Sequence, residues 1–63
     1  MTNYWYAVMT DADDQDWGTG SYDLEEAKRK VRENRDIYPD GYIAVIEETS
    51  HDAVCVDEIH EID

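Results

Sequence analysis

The densest group of chemically capable side chains is a run of carboxylates at Asp11, Asp13, Asp14 and Asp16. Clustered carboxylate oxygens are the ligands that a hard cation such as Ca²⁺ prefers. The ligand order of a calcium loop is missing, because the sixth position counted from Asp11 is Asp16 instead of Gly and the twelfth is Tyr22 instead of Glu. We therefore predict a solvated surface loop here, with no metal site and no cofactor.

A small glycine-containing segment, Gly18-Thr19-Gly20-Ser21, follows the carboxylate run. Glycine turns before a helix can hold a phosphate group, but this segment lacks the lysine of a phosphate-binding loop and the rest of a dinucleotide fingerprint. The preceding carboxylates would also repel phosphate. We predict an ordinary connection in which Trp17 packs down as an anchor for the loop.

The side chains that could act as nucleophile and base are Cys55, His51 and His60. Neither histidine has a Ser or Cys at the spacing of a known catalytic motif, and Cys55 falls inside a predicted strand, where a small buried side chain is common. We therefore expect no enzymatic activity. A single cysteine also excludes an internal disulfide and a cysteine-based zinc site.

The elements that position these residues begin with a strand predicted at residues 4–10, which are rich in aromatic and β-branched side chains. Alternation along a strand places Tyr4, Tyr6 and Val8 on one face. Trp5 lies on the opposite face. The acidic, glycine-containing stretch that follows is predicted as a loop.

A helix is predicted over residues 24–35, with Asp23 as its N-cap and Glu26 three residues later. Further strands are predicted at residues 42–46 and 53–59, joined by a polar reversal. The order is β-α-β-β, an α+β fold with a small three-stranded mixed sheet and one helix on one face. A right-handed crossover would make the first two strands parallel, and the last two would form an antiparallel hairpin.

The chain has many more acidic than basic residues, with 17 Asp and Glu, 5 Lys and Arg, and a net charge of −12. Glu33 is the one acid inside residues 28–35, a stretch that contains every base: Lys28, Arg29, Lys30, Arg32 and Arg35. Such a charge repels nucleic-acid phosphate and anionic lipid, so we expect neither direct nucleic-acid binding nor membrane binding. With no apolar run of membrane or signal-peptide type, residues 1–63 are predicted to be one compact cytoplasmic domain.

The acidic surface is predicted to meet a basic protein surface, of which a nucleic-acid-binding nuclease is one kind. A sheet with one helix would leave its second face open, with either Tyr4, Tyr6 and Tyr42, or Trp5, Ile43 and Val45, directed away from the helix. The alternative is that the acids only keep a small housekeeping or structural domain soluble, as a monomer or a homodimer. The predicted partner-binding residues are Asp11, Asp13, Asp14, Asp16, Glu47, Glu48, Asp57, Glu58, Tyr4, Tyr6 and Tyr42.

The chain resembles short acidic uncharacterised proteins of bacteria and their mobile elements in four segments: YAVMTD, DWGTGSYDLEEAKRK, YIAVIEE and VCVDEIHEI. That group includes anti-CRISPR inhibitors, many of which occupy the DNA-binding surface of a nuclease. The resemblance implies an inhibitor that acts by DNA mimicry. It supplies no catalytic or ligand-binding residues.

Overall fold

A computed structural model describes residues 2–10 and 16–62 of the chain. In chain order the elements are β1 (Asn3–Met9), β2 (Gly20–Ser21), α1 (Leu24–Glu33), β3 (Tyr42–Glu48) and β4 (Ala53–Ile59). The strands form a four-stranded sheet in the order β2-β1-β3-β4, with every neighbouring pair antiparallel. The prediction of an α+β fold is confirmed.

The prediction of a three-stranded mixed sheet in the order β-α-β-β is wrong because it omits β2. This strand pairs antiparallel with β1, with Ala7 opposite Gly20, and so reverses the chain before the helix begins. The crossover through α1 therefore joins β2 to β3, which share a direction, and β1 lies antiparallel between them. A strand of two residues, one of them glycine, has no hydrophobic alternation by which it could be detected.

The pairing of β2 with β1 requires a glycine at position 20. Gly20 has a φ of +157°, and a Cβ atom there would collide with the backbone carbonyl of Tyr6 and lie 2.9 Å from the Cα of Ala7. The carbonyl of Gly20 accepts a hydrogen bond from Lys30 Nζ at 2.9 Å. Gly20 therefore allows β2 to pair with β1, and its carbonyl group connects β2 to the helix.

The start of α1 is confirmed, with Asp23 as N-cap accepting a hydrogen bond from the Glu25 N–H at 3.0 Å. Glu26 does not close a capping box on Asp23. Ser21 Oγ accepts from the Asp23 N–H at 3.0 Å and donates to Glu26 Oε2 at 3.2 Å. The helix ends two residues earlier than predicted because Asn34, its C-cap, uses its side chain to donate to the Lys30 carbonyl.

The sheet buries side chains on both faces, so the expectation of an open second face is wrong. On the helix side the buried residues are Val8, Ala27, Val31, Ile43 and Ile62. On the other side, called here the loop side, they are Ala7, Met9, Tyr42, Ala44 and Ile46, with Trp5 and Trp17 packed against them.

The predicted alternation of β1 is confirmed, since Tyr6 and Val8 lie on the helix side and Trp5 on the loop side. Both sets predicted to be directed away from the helix are wrong, because each combines residues of the two faces. The register sets Tyr42 opposite Met9 on the loop side, and Ile43 opposite Val8 on the helix side. Trp17 is the loop anchor that was expected, since it packs on the loop-side cluster and its carbonyl accepts from Trp5 Nε1 at 2.7 Å.

Strand β4 is an edge strand interrupted by a bulge. Asp57 pairs with Val45 and Cys55 with Ile46, so Val56 is the extra residue. The helix contacts β1, β2 and β3 but not β4 among the described elements. Residues 53–58 of this edge strand are all exposed, and Cys55, expected to be buried, is among them.

We expect Gly20→Ala to lower the free energy of unfolding by roughly 2 kcal/mol or more. The reason is that the added methyl group would clash with the backbone atoms of Tyr6 and Ala7, which belong to a paired strand. Urea denaturation measures the change. Gly18→Ala is the matched control, since its added methyl group meets the end of the Asp16 side chain, which can move. Equal loss of stability in the two variants would contradict the role assigned to Gly20.

Candidate functional site

One end of the sheet contains the exposed first residues of β1 and of β4. We call it the open end, and it consists of residues 3–5 of β1, 46–48 of β3 and 53–55 of β4. It lies beyond the pairing of β2 with β1, which covers only Tyr6 and Ala7. β2 therefore does not cover the first residues of β1, and Asn3 and Tyr4 are exposed.

On the helix side of the open end, an acid lies between two exposed apolar side chains. The register sets Tyr4 opposite Glu47 and Glu47 opposite Val54. Tyr4 is 44% exposed and Val54 is 45% exposed. An aromatic and an aliphatic side chain beside a carboxylate form a surface that can contact the apolar and the charged parts of a partner together.

The next row of the helix side continues this surface. Tyr6 pairs with Val45, Val45 pairs with Asp57, and the bulged Val56 precedes Asp57. Val56 is 50% exposed. Four predicted site residues are thus brought together on two adjacent rows: Tyr4, Tyr6, Glu47 and Asp57.

Two grooves flank the open end, and Tyr22 lines both of them. The helix-side groove, of about 580 Å³, is lined by Thr2, Asn3, Tyr4, Tyr6 and Tyr22. The loop-side groove, of about 260 Å³, is lined by Trp5, Trp17, Gly18, Tyr22, Ile46, Glu48 and Ala53.

Aromatic rings and one carboxylate define the loop-side groove. The rings of Trp5 and Tyr22 have centroids 4.7 Å apart and planes at 74°, so they form two nearly perpendicular walls. Hydrogen bonding to the Glu48 carboxylate and the negative charge of that group raise the pKa of Tyr22 above its ordinary value of 10.0.

Other predicted site residues have local roles elsewhere. Tyr42, predicted to be exposed, is only 7% exposed, because it lies in the loop-side cluster and stacks on His60 at 4.6 Å between ring centroids. Glu58 Oε1 lies 3.1 Å from His60 Nε2. Asp57 Oδ1 accepts from the Glu58 N–H at 2.8 Å.

The acidic run is described only in part. Asp16 is exposed, and its Oδ1 accepts a hydrogen bond from the Gly18 N–H at 2.8 Å. The other three predicted residues of the run, Asp11, Asp13 and Asp14, lie outside the described residues.

Tyr22 is the site residue that sequence reasoning missed. It is 62% exposed and stands between β2 and the helix N-cap, in a segment treated as a connection. A usable signal was present: Trp17 and Tyr22 are two large aromatic residues close together in a polar, glycine-containing segment. Rings of that size in a loop usually pack against another apolar group.

Three basic side chains of α1 are bound to other parts of the chain. Lys30 donates to the Gly20 carbonyl, and Arg32 donates to the Ile62 carbonyl at 3.0 Å. Arg29 lies 4.0 Å from Glu33 in the next turn of the helix. The positive charge of the chain is thus held on and around α1.

We expect Glu48→Gln to lower the pKa of Tyr22 toward 10.0, because the variant removes the negative charge that disfavours tyrosinate. The raised pKa in the folded protein contributes stability below pH 10 that is lost as the pH rises through the folded pKa. A pH titration of the Tyr22 ring carbon by NMR measures the shift.

Glu47→Gln is the control, since it removes the same charge from the neighbouring position on the other face of β3. An unchanged Tyr22 titration in Glu48→Gln, or an equal shift in both variants, would contradict the assigned effect of the Glu48 charge on Tyr22.

Within residues 2–10 and 16–62, no group of three or more His, Cys, Asp and Glu side chains is placed to hold a metal ion. The one helix in the same ranges is not long and apolar enough to cross a membrane. Comparisons of the chain with protein-family models, curated proteins and solved structures find no match.

Proposed function

We propose that this protein is a non-enzymatic binding protein that engages a basic, nucleic-acid-handling protein through its acidic surface. The concrete mechanism is inhibition by DNA mimicry, in which the protein occupies the surface where a nuclease would bind DNA. The observation that carries the proposal is the spatial separation of charge between α1 and the rest of the molecule.

This separation follows from the positions of the basic residues. All five basic residues of the chain lie within residues 28–35, while the net charge is −12. Lys30 and Arg32 donate to backbone carbonyls, which fixes them near the helix. Approaching cations therefore meet a negative potential over the sheet, and electrostatic steering of this kind raises association rates.

The open end adds the contacts that charge alone does not provide. Exposed Tyr4 and Val54 flank Glu47, and tyrosine is among the residues that most often dominate binding energy at protein interfaces. DNA-binding surfaces present arginine and lysine side chains to phosphate oxygens. Carboxylates spread over a rigid sheet can take the place of those phosphates.

A capture experiment tests the proposal. The protein is immobilised and exposed to a lysate of its source organism, and bound proteins are eluted with duplex DNA at constant salt and identified by mass spectrometry. We expect a nucleic-acid-binding protein that DNA releases and whose affinity falls as salt rises. Partners that neither DNA nor salt releases, or self-association alone, would refute DNA mimicry.

Charge-neutralising variants then test which surface is used. We expect Glu47→Gln with Asp57→Asn to slow association with the captured partner by about tenfold at low salt, with folding unchanged. Asn keeps an oxygen that can accept from the Glu58 N–H. The matched control is Glu25→Gln with Glu33→Gln, which removes the same charge from the helix.

Neutralising Asp11, Asp13, Asp14 and Asp16 together makes the same comparison for the acidic run. Stopped-flow or surface-binding kinetics measure all three sets. Equal rates for the wild-type protein and for both acidic-surface variants would exclude these acids from the interface.

A further inference from the structure

The loop-side groove combines the chemical groups that recognise a planar cation. Three aromatic residues, Trp5, Trp17 and Tyr22, line it together with the carboxylate of Glu48. Cations are attracted to the faces of tryptophan and tyrosine rings, and a carboxylate accepts hydrogen bonds from cationic N–H groups.

The groove is also built as a fixed structure. Trp5 Nε1 donates to the Trp17 carbonyl at 2.7 Å, and both tryptophans pack on the buried loop-side cluster. The Tyr22 ring stands at 74° to that of Trp5. Two walls are therefore set before a ligand arrives, which reduces the entropy lost on binding.

We infer that the loop-side groove receives the side chain of an arginine from the basic partner, with the guanidinium group against the rings and its N–H groups donating to Glu48. This inference rests on the proposed function, because it names the side chain by which a DNA-binding surface would be held. Guanidinium is favoured over the ammonium group of lysine because it is planar, stacks on aromatic rings and is less strongly hydrated.

Charge complementarity makes a partner arginine a better occupant than a second copy of this chain. The arginines of this chain lie on and just after the helix, and Arg32 and Arg29 already contact Ile62 and Glu33. Bringing two copies together would also oppose two net charges of −12. An arginine from a basic surface meets neither obstacle.

The direct test uses small probes and needs no partner. The peptide acetyl-Gly-Arg-Gly-amide is titrated into the ¹⁵N-labelled protein, and the indole N–H signals of Trp5 and Trp17 are followed by NMR. We expect saturable shifts with this probe. The same peptide with citrulline, a neutral near-isostere of arginine, should cause no saturable shift, and the lysine peptide should bind more weakly.

Two variants locate the binding. We expect Tyr22→Leu and Glu48→Gln each to raise the dissociation constant of the arginine peptide about three- to fivefold. Glu25→Gln removes the same charge from the helix, outside the groove, and should leave this dissociation constant nearly unchanged. Thermal denaturation of each variant shows whether the fold persists, and exposed Tyr22 can be changed without opening the core.

Each outcome separates this inference from the proposed function. If Glu25→Gln and Glu48→Gln weaken peptide binding equally, or if citrulline or lysine binds as well as arginine, the groove is not an arginine site. If a DNA-releasable partner is captured but binds Tyr22→Leu and Glu48→Gln as tightly as the wild-type protein, this inference fails while the proposed function stands. If the peptide binds as expected but neither DNA nor salt releases the captured partners, the proposed function fails.

Discussion

The close approach of Gly20 to the backbone of Tyr6 and Ala7 is the contact on which the rest of the structure depends. It reverses the chain after β1, so the crossover through α1 delivers β3 antiparallel to β1. Lys30 and Ser21 then tie the helix to this strand. A side chain larger than hydrogen at position 20 would weaken the pairing that connects these elements.

The same contact determines where the aromatic residues lie. Because β2 ends at Ser21, Tyr22 emerges beside the first residues of β1 and meets the ring of Trp5. Trp17, which precedes β2, is held on the loop side through the Trp5 indole. The positions of the two grooves at the open end therefore follow from the pairing of the two-residue strand β2 with β1.

The features that could be predicted from sequence are those encoded by neighbouring residues. The cap at Asp23, the alternation of β1 and the polar reversal before Ala53 are local signals, and the helix and strands appear where those signals occur. The pairing of β2 with β1 is not encoded by neighbouring residues, because it depends on the close contact of Gly20 with the backbone of Tyr6 and Ala7. Without it, the direction of β3 could not be deduced.

The candidate site shows the same division. Tyr4 and Glu47 were identified from composition, because exposed tyrosines and acids are common at interfaces. The burial of Tyr42 depends on the register and on a stack with His60, which is distant in sequence. Tyr22 could not be placed because its position follows from β2.

The edge strand β4 has a consequence for the behaviour of the protein at high concentration. An exposed strand with free N–H groups can be extended by a strand from another molecule, which is how ordered aggregates grow. In β4 the N–H groups of Ala53 and Glu58 already donate hydrogen bonds to the carboxylates of Asp52 and Asp57. The bulge at Val56 bends the strand between these two positions. An incoming strand would have to displace both carboxylates and bring its own backbone oxygens close to their charge. Fibril growth through this edge is therefore opposed by the strand itself, even though Val54 and Val56 leave it apolar.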